Sequence, residues 1–414
     1  MHKNDRHYRN EHQKEQNTNK RHHESRQLDS PTQGWSKCQR NMHFSNHQPR
    51  LKTLNTVLET LSLRSSISKT KPIFAQKGMK IQQLSALQAL LDTSKSIVVI
   101  PHQNPDGDAL GSCLAWASFL QQKGHRVHVI SPNDYPDFLT WMPGQEAIVQ
   151  HSQSAAKAAQ YIEAAELIFT LDFNDLLRID ALGPLVEKST APIVMIDHHQ
   201  NPKDYAALTL SFPHMGSTAE IVYHIINQWD ANAIDPDMAS CLYTGIMTDT
   251  GSFRFPSTTP DTHRAIAHLM ECGAPHSDIH QNIHDSYTFD RVRLLGMGLT
   301  NLTKLNEIPA VFLSLSQQEL NACNYQKGDT EGFVNYGLRL KDIQLAVIMI
   351  ENQREGKIKM SFRSKGGFPA HTFAETFFSG GGHKNAAGGV SFSSLEETKE
   401  QLIKAIQQWK NHFE

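Results

Sequence analysis

Short apolar runs rich in β-branched residues alternate with longer apolar segments after residue 79. The strand-like runs are IVVIP (97–101), HRVHVIS (125–131), IFTLDF (168–173) and PIVMID (192–197). The last two runs are largely apolar before their aspartates, which is typical of strands buried on both faces of a parallel sheet. Helical stretches lie between and after the runs, notably at 217–230 and 235–250. This alternation predicts a doubly wound α/β domain with a parallel sheet.

The same pattern divides the 414-residue chain into four parts. Residues 1–79 are polar and poor in aromatic side chains, so we expect a disordered tail that is dispensable for chemistry. We expect the doubly wound domain over 80–260 and a helical linker over 261–304. A second strand–helix–strand pattern predicts a smaller α/β domain at 305–414, with the strands IPAVFLSLS (308–316), LAVIMIENQ (345–353) and KIKMSFRS (357–364).

Charge and composition exclude several classes of protein. Residues 1–79 carry 15 basic and 6 acidic side chains, which leaves 25 basic and 36 acidic ones for the rest of the chain. An acidic body of this kind is a poor non-specific nucleic-acid binder, because phosphate neutralisation drives such binding. No apolar run approaches the roughly 18 residues of a membrane helix, so we expect no membrane partner. The five cysteines lie far apart without a CxxC pair, which suits a reducing cytoplasm.

Aspartates and histidines follow three of the strand-like runs, IVVIP, IFTLDF and PIVMID, and Asp249 lies at the end of the helical stretch 235–250. Because ligands bind beyond the carboxyl ends of the strands in an open α/β sheet, these side chains are candidate site residues. Each of them alone has a simpler explanation: an aspartate can form a turn, cap a helix or make a salt bridge, and His198 and His199 can be surface residues. Together they would repel one another unless divalent cations neutralised them. The set comprises His102, Asp106, Asp108, Asp172, Asp197, His198, His199 and Asp249.

The expected cofactor is a pair of divalent cations. Carboxylate and imidazole ligands without thiolates suit Mn²⁺ best, and Mg²⁺, Co²⁺ and Zn²⁺ stay as alternatives. A carboxylate at the centre can bridge two ions about 3.5–4 Å apart, an arrangement used for phosphoester hydrolysis.

A glycine-rich segment near the C-terminus, FFSGGGHKNAAGGVSF, contains Gly380, Gly381 and Gly382, followed by His383, Lys384 and Asn385. Glycines allow a backbone to approach an anion closely, and its N–H groups can cradle phosphate. Such a segment can equally be a plain turn. Upstream, Arg363 can hold a phosphate with two parallel hydrogen bonds, which a lysine cannot do.

These motifs resemble those of a known superfamily. The segments HQNPDGDALGS, LDF, IDHH and GIMTDTGSFRF are similar, in order and spacing, to the four motifs of the DHH phosphoesterases, which are named after a sequence such as Asp197-His198-His199. The GGGH segment resembles the signature of the DHHA1 domain, and Arg363-Ser364 resembles the substrate strand of that domain. The resemblance implies a metal-dependent phosphoesterase made of a DHH domain and a DHHA1 domain.

The resemblance also implies roles for the candidate residues. His102 and Asp106 are expected to bind one metal ion, and Asp108, His198 and Asp249 the other, with Asp172 bridging both. Asp197 is expected to orient a histidine, and His199 to contact the scissile phosphate. The implied substrate-binding residues are Arg363, Ser364, Gly380, Gly381, Gly382, His383, Lys384 and Asn385.

Within the superfamily, the combination of these two domains without membrane helices resembles the compact nanoRNase type. The implied substrates are short oligoribonucleotides and 3′-phosphoadenosine 5′-phosphate (pAp). The alternatives are a phosphodiesterase for cyclic or linear dinucleotides, an inorganic pyrophosphatase and a metal-free nucleotide-binding module. The apolar helical linker is also compatible with a homodimer.

Overall fold

The computed structural model of the protein describes residues 81–413. The predicted tail over 1–79 therefore lies outside the described residues. No helix in the described part of the chain is long and apolar enough to cross a membrane.

The first sheet has six parallel strands in the order β3-β2-β1-β4-β5-β6. The chain runs outward from β1 to β3 and then returns to the other side of β1, so the order reverses between β1 and β4. Such a reversal opens a crevice at the carboxyl ends of the strands. The strands are β1 (Ser96–Ile100), β2 (Arg126–Ser131), β3 (Val149–Gln150), β4 (Leu167–Leu171), β5 (Ile193–Asp197) and β6 (Leu208–Ser211).

Helices cover both faces of this sheet because alternate residues of its strands point to opposite sides. Ile97 and Val99 of β1 pack in a core with six α-helices, whereas Val98 and Ile100 pack in the core on the other face. The doubly wound α/β fold is therefore confirmed. The helices around the first sheet are α1 (Ile81–Leu90), α2 (Gly107–Gln122), α3 (Ala155–Glu163), α4 (Gly183–Lys188), α5 (Thr218–Trp229) and α6 (Pro236–Asp249).

Helices α2 and α6 approach each other unusually closely, because glycines lie where they meet. A Cβ atom on Gly111 would lie 2.4 Å from the Cys241 carbonyl oxygen. On Gly245 it would lie 2.5 Å from the Ala219 Cβ and 3.0 Å from the Asp108 Oδ1. This close packing brings the start of α2 near the end of α6.

Three more helices lead to the second sheet: α7 (Pro260–Glu271), α8 (His276–His284) and α9 (Phe289–Thr300). Ile266 of α7 and Ile279 of α8 belong to the core of the first sheet. Leu294 of α9 belongs to a core of the second sheet. The connection between the two sheets is therefore held at both ends by packed helices.

The second sheet is mixed, in the order β11-β12-β10-β9-β8-β7, and only its β8–β9 pair is parallel. Its two faces have separate cores, one around Phe362 and Phe373 and one around Leu313 and Ile348. The strands are β7 (Thr303–Lys304), β8 (Ala310–Leu315), β9 (Leu345–Asn352), β10 (Lys357–Ser364), β11 (Gly381–His383) and β12 (Ala386–Ser391). The helices are α10 (Gln317–Ala322), α11 (Val334–Leu338), α12 (Ala370–Phe378) and α13 (Leu395–Gln408).

Candidate metal centre

His102 lies just beyond β1 and directs its Nε2 atom into the crevice. Its Nδ1 lies 2.8 Å from the Gln103 carbonyl oxygen. Because a carbonyl can only accept, Nδ1 carries a proton and Nε2 is the atom that can bind a metal. Nε2 lies 3.5 Å from Asp172 Oδ2 and 3.8 Å from Asp106 Oδ2. Burial lowers the pKa of His102, but these two carboxylates outweigh it and raise the pKa above its usual value.

Asp106 and Asp108 begin helix α2 and have different surroundings. Asp106 caps the helix, because its Oδ1 accepts from the backbone N–H groups of Asp108 and Ala109. The buried Asp108 accepts from the backbone of α5: Oδ2 from Thr218 N (2.7 Å) and Oδ1 from Ala219 N (2.8 Å). Burial, and then the charges of Asp172 and Asp249, raise the pKa of Asp108 well above its usual value.

Asp172 follows β4 with a left-handed backbone, φ +67°, which aspartate tolerates better than most residues. Its Oδ1 accepts from the Thr218 hydroxyl at 2.8 Å and lies 3.4 Å from His198 Nε2. Burial opposes its ionisation, but the hydrogen bonds from His102 and His198 outweigh burial and hold its pKa well below the usual range. Asp172 is therefore a buried anion between two histidines.

His198 joins the carboxylates at the other side of the crevice. Its Nδ1 lies 3.3 Å from the Met215 carbonyl oxygen. Its Nε2 lies 3.4 Å from Asp249 Oδ2 and 3.8 Å from Asp108 Oδ2. Burial lowers the pKa of His198, but the surrounding carboxylates raise it well above the usual value. Burial raises the pKa of Asp249, the last residue of α6, to about 6.

His199 is held by Asp197. The two side chains form a hydrogen bond of 2.8 Å between His199 Nδ1 and Asp197 Oδ1. Asp197 is fully buried, and its second oxygen has no hydrogen-bond partner among the described residues. His199 Nδ1 also lies 3.8 Å from Asp172 Oδ1. The pair therefore stands beside the carboxylate cluster with its imidazole fixed in orientation.

Three overlapping groups of side chains have ligand atoms close enough to share a cation. Within each group the ligand atoms all lie within 4.8 Å of one another. All the donors are oxygen or imidazole nitrogen, which suits divalent cations such as Mn²⁺. Burial and the neighbouring carboxylates raise the pKa of Asp108, so its ionised form needs a compensating positive charge. The groups are Asp172–His198–His199, His102–Asp106–Asp172 and Asp108–His198–Asp249.

Arg363 of the second sheet interacts electrostatically with carboxylates of this cluster. It lies on β10 and is half-buried. Burial lowers the pKa of its guanidinium, while the carboxylates of Asp249, Glu331 and Asp106 act in the opposite direction. A cationic residue of the second domain thus borders the candidate metal centre in the first.

The other predicted substrate residues have contacts within their own domain. Asn385 Nδ2 donates to Ser364 Oγ at 2.8 Å, and Ser364 Oγ donates to the Phe368 carbonyl at 2.7 Å. These bonds join the turn after β11 to the end of β10. Lys384 is exposed in the same turn.

Packing requires glycine at two of the three glycine positions of the GGGH segment. Gly381 and Gly382 begin strand β11, and His383 pairs with Ala386 of β12. A Cβ atom on Gly380 would lie 2.1 Å from the Gly388 carbonyl oxygen, and one on Gly382 2.5 Å from the Ala386 carbonyl oxygen. These two glycines are needed for close packing on β12. A Cβ atom on Gly381 would make an ordinary van der Waals contact, 3.8 Å from Glu375 Oε1.

Two polar residues at this site were not found from the sequence. Thr218 holds Asp172 and Asp108 together through its hydroxyl and its backbone N–H. The sequence feature that could have pointed to Thr218 is Ser217 followed three residues later by Glu220, a pattern that marks the start of a helix. Glu331 interacts electrostatically with Asp106 and Arg363; partial desolvation and the charge of Asp106 raise its pKa to about 7. Nothing in the local sequence marks Glu331.

Known families match both parts of the chain. The model of the DHH family, N-terminal domain, matches residues 96–246, and the model of the DHHA1 domain matches residues 318–412. The crystal structure of an exopolyphosphatase-related protein from Bacteroides fragilis superposes with a TM-score of 0.77 and 36% identity, covering 80% of this chain and 98% of that one.

Two curated relatives are informative. The bifunctional oligoribonuclease and PAP phosphatase NrnA of Thermus thermophilus is 27% identical over 321 residues, which are 75% of this chain and 89% of the relative. The cyclic-di-AMP phosphodiesterase PdeA of Listeria monocytogenes is 24% identical over 352 residues, which are 82% of this chain but only 51% of that relative.

The chain belongs to the DHH family of phosphoesterases, with a DHHA1 domain as its second domain. It is a hydrolase that acts on phosphoester bonds.

Proposed function

We propose that the enzyme hydrolyses short oligoribonucleotides, pAp or both, with two divalent cations as cofactor. The observation that carries the proposal is the set of three overlapping ligand groups in which Asp172 and His198 each belong to two. A relative named as an oligoribonuclease and PAP phosphatase, matched along 89% of its length, supports the choice of substrates. We assign the DHH domain to 80–260, the helical linker to 261–304 and the DHHA1 domain to 305–414.

Each ion has its own group of proposed ligands. His102 and Asp106 would hold one ion, Asp108, His198 and Asp249 would hold the other, and Asp172 would bind both. Mn²⁺ is the ion we expect, because the donor set is oxygen and imidazole without thiolates. When bound, the ions supply Lewis acidity that activates a water molecule and offsets negative charge on the phosphate. The chain's own residues then bind, orient and enclose the substrate.

The reaction is an in-line hydrolysis. A water oxygen forms a bond to phosphorus, the bond from phosphorus to the 3′ oxygen breaks, and that oxygen leaves with a proton. His199, fixed by Asp197, is proposed to contact the scissile phosphate. Arg363 is proposed to bind a phosphate from the side of the second domain, with Lys384 adding charge. Donors fixed in this way stabilise the charge that develops on the phosphate oxygens.

The glycine segment and its neighbours complete the proposed substrate site. We propose that Gly380, Gly381, Gly382 and His383 line it with backbone, since a Cβ atom on Gly381 would have one neighbour within 4 Å, at 3.8 Å. We propose that Ser364 and Asn385 act by holding the segment against β10 through their mutual hydrogen bond.

A second candidate function is the hydrolysis of cyclic or linear dinucleotides. It is favoured by the similarity to a cyclic-di-AMP phosphodiesterase, although the chain spans about half of that relative. Turnover of a dinucleotide, pAp, cyclic di-AMP and pyrophosphate should be measured side by side in Mn²⁺, Mg²⁺ and Co²⁺. We expect the highest kcat/KM for the dinucleotide or pAp in Mn²⁺. A preference for cyclic di-AMP would favour the second function, and a preference for pyrophosphate would overturn both.

We also propose a cytoplasmic enzyme, since its substrates are short RNAs and the described cysteines Cys113, Cys241, Cys272 and Cys323 are free thiols. A homodimer is proposed because Phe289 and Val292 are exposed on the linker helix α9. Light scattering coupled to size exclusion would measure the mass, and a monomer at micromolar concentration would overturn the dimer.

A further inference from the structure

A loop of the second domain lies directly on the first domain. We call residues 326–332, between α10 and α11, the crossing loop. Lys327 Nζ lies 2.8 Å from Asp134 Oδ1 and 2.7 Å from the Asp134 carbonyl oxygen. Next to it, a Cβ atom on Gly328 would lie 2.9 Å from the Pro136 Cβ. The crossing loop therefore touches the segment that follows β2 of the first sheet.

Arg291, at the start of α9, fixes the far end of the crossing loop. Its side chain is buried, with the guanidinium 3.9 Å from the centre of the Tyr287 ring and 5.9 Å from that of Phe138. Its Nη2 donates to the Glu331 carbonyl oxygen at 3.1 Å. The backbone of Glu331 is therefore held by a residue that contacts both domains.

The carboxylate of Glu331 interacts electrostatically with Asp106, Arg291 and Arg363. It belongs to none of the three candidate ligand groups and makes no ion pair within 4 Å among the described residues. Asp106, Asp249 and Glu331 are the carboxylates that interact with Arg363. If bound cations neutralise Asp106 and Asp249, the negative charge of Glu331 remains.

We propose that Glu331 is a specificity-determining residue that limits substrate length by repelling a further phosphate. The inference rests on the proposed function. A short substrate binds one phosphate at Arg363 and has no further phosphate beyond that position. A longer strand must pass its next phosphate close to the Glu331 carboxylate. The crossing loop holds that charge in place, so the cleft favours the shortest oligonucleotides.

The expected change in the rate constant follows from the repulsion between two charges at the protein–water interface. Unit charges about 6 Å apart at an effective dielectric constant of about 40–80 repel enough to change a rate constant roughly 3–10-fold. The repulsion must weaken as salt screens it, with a Debye length of about 10 Å at 0.1 M and about 3 Å at 1 M. A steric or structural role of Glu331 would not depend on salt in this way.

The test compares Glu331→Gln with Glu400→Gln, which removes the same charge from the exposed face of α13. The kcat/KM values for a dinucleotide and a pentanucleotide RNA are measured at pH 8, where a carboxyl group with a pKa of about 7 is ionised. We expect Glu331→Gln to raise the pentanucleotide-to-dinucleotide ratio about 3–10-fold at low salt and much less at 1 M salt. Glu400→Gln should keep the ratio of the unmodified enzyme.

An unchanged ratio in Glu331→Gln, or a change that is the same at both salt concentrations, would overturn the proposal. The proposed function fails differently, since the unmodified enzyme would then turn over neither RNA nor pAp. Turnover of pAp but of neither RNA would overturn the length proposal alone.

A pair of glycine variants tests whether the crossing loop positions the charge. Gly328 and Gly332 both have left-handed backbones, with φ of +99° and +80°, so alanine strains both. A Cβ atom meets Pro136 at Gly328 but finds nothing within 4 Å at Gly332. We expect Gly328→Ala to raise the length ratio and Gly332→Ala to leave it unchanged. Equal ratios in the two variants would show that the contact with the first domain does not position Glu331.

Discussion

Asp106 uses its two carboxylate oxygens for different purposes. Oδ1 caps helix α2, as an aspartate at a turn is expected to do, while Oδ2 lies 3.8 Å from His102 Nε2. Capping and a place in the ligand cluster are therefore not alternatives at this position. Asp108 similarly gives both oxygens to backbone N–H groups of α5 and still lies beside His198. Local structure holds both side chains in place before any cation binds.

At Asp172, we predict that the substitution Asp172→Asn reduces turnover to below a few per cent and lowers the number of bound ions. Asn keeps the left-handed backbone that Asp172 needs, but it lacks the charge that would bind two cations. Metal content and far-UV circular dichroism of the same sample separate loss of ions from unfolding. A variant that keeps two ions would show that Asp172 does not bridge them.

At Thr218, replacing the hydroxyl with a methyl group removes the 2.8 Å bond to Asp172 but keeps the backbone N–H that binds Asp108. Loss of a partner that orients a metal ligand typically costs 10–100-fold, so we expect Thr218→Val to weaken Mn²⁺ binding by at least about 10-fold. Titration calorimetry measures the affinity. Thr218→Ser keeps the hydroxyl and should bind Mn²⁺ like the unmodified protein. Equal affinities in the Val and Ser variants would show that the hydroxyl does not support the site.

At the scale of elements, the candidate centre is assembled from the ends of β1, β4 and β5 and the facing ends of α2, α5 and α6. The strand ends were predictable because a polar residue follows each apolar run, as Asp172 does after β4. KIKMSFRS was predicted over 357–364, and β10 is Lys357–Ser364. The short strands β3 and β6 were missed, since two to four residues carry no clear periodicity.

The contribution of α5 could not be predicted for a different reason. Thr218 meets Asp172 only because the helix starts beside the carboxyl end of β4, and that placement depends on how α5 packs against α2 and α6. The position of Glu331 is even harder to predict from the sequence, because it depends on a contact between two domains.

The charged cluster formed by these elements makes metal binding depend on pH. In the metal-free protein Asp249 has a pKa of about 6, so it is protonated at pH 5 and ionised at pH 7. The raised pKa of His198 adds a second proton that a metal ion must displace. Below pH about 6 the affinity for Mn²⁺ should therefore fall roughly 10-fold per pH unit for each proton released.

Calorimetry in two buffers with different ionisation enthalpies counts those protons. An affinity that is the same at pH 5 and pH 7 would contradict the assignment of Asp249 and His198 as ligands.

At the scale of the whole molecule, both domains supply charges to one cleft. The first domain brings the candidate metal-binding carboxylates, and β10 of the second brings Arg363, which interacts electrostatically with Asp106, Asp249 and Glu331. Removing Arg363 takes away a cation, so it should not weaken the binding of metal ions. The loss of Arg363 should instead weaken the binding of an anionic substrate.

We therefore expect Arg363→Ala to bind two metal ions while its kcat/KM for a dinucleotide falls about 10–100-fold, the effect of losing a charge-assisted hydrogen bond of about 1.5–3 kcal/mol. Arg363→Lys should recover only part of the activity, because an ammonium group cannot form two parallel bonds from one plane. Arg354→Ala, in the turn at the other end of the β9–β10 hairpin, removes the same charge and should act like the unmodified enzyme. Loss of metal ions in Arg363→Ala would show that Arg363 stabilises the metal centre. Full activity in this variant would show that Arg363 does not bind the substrate.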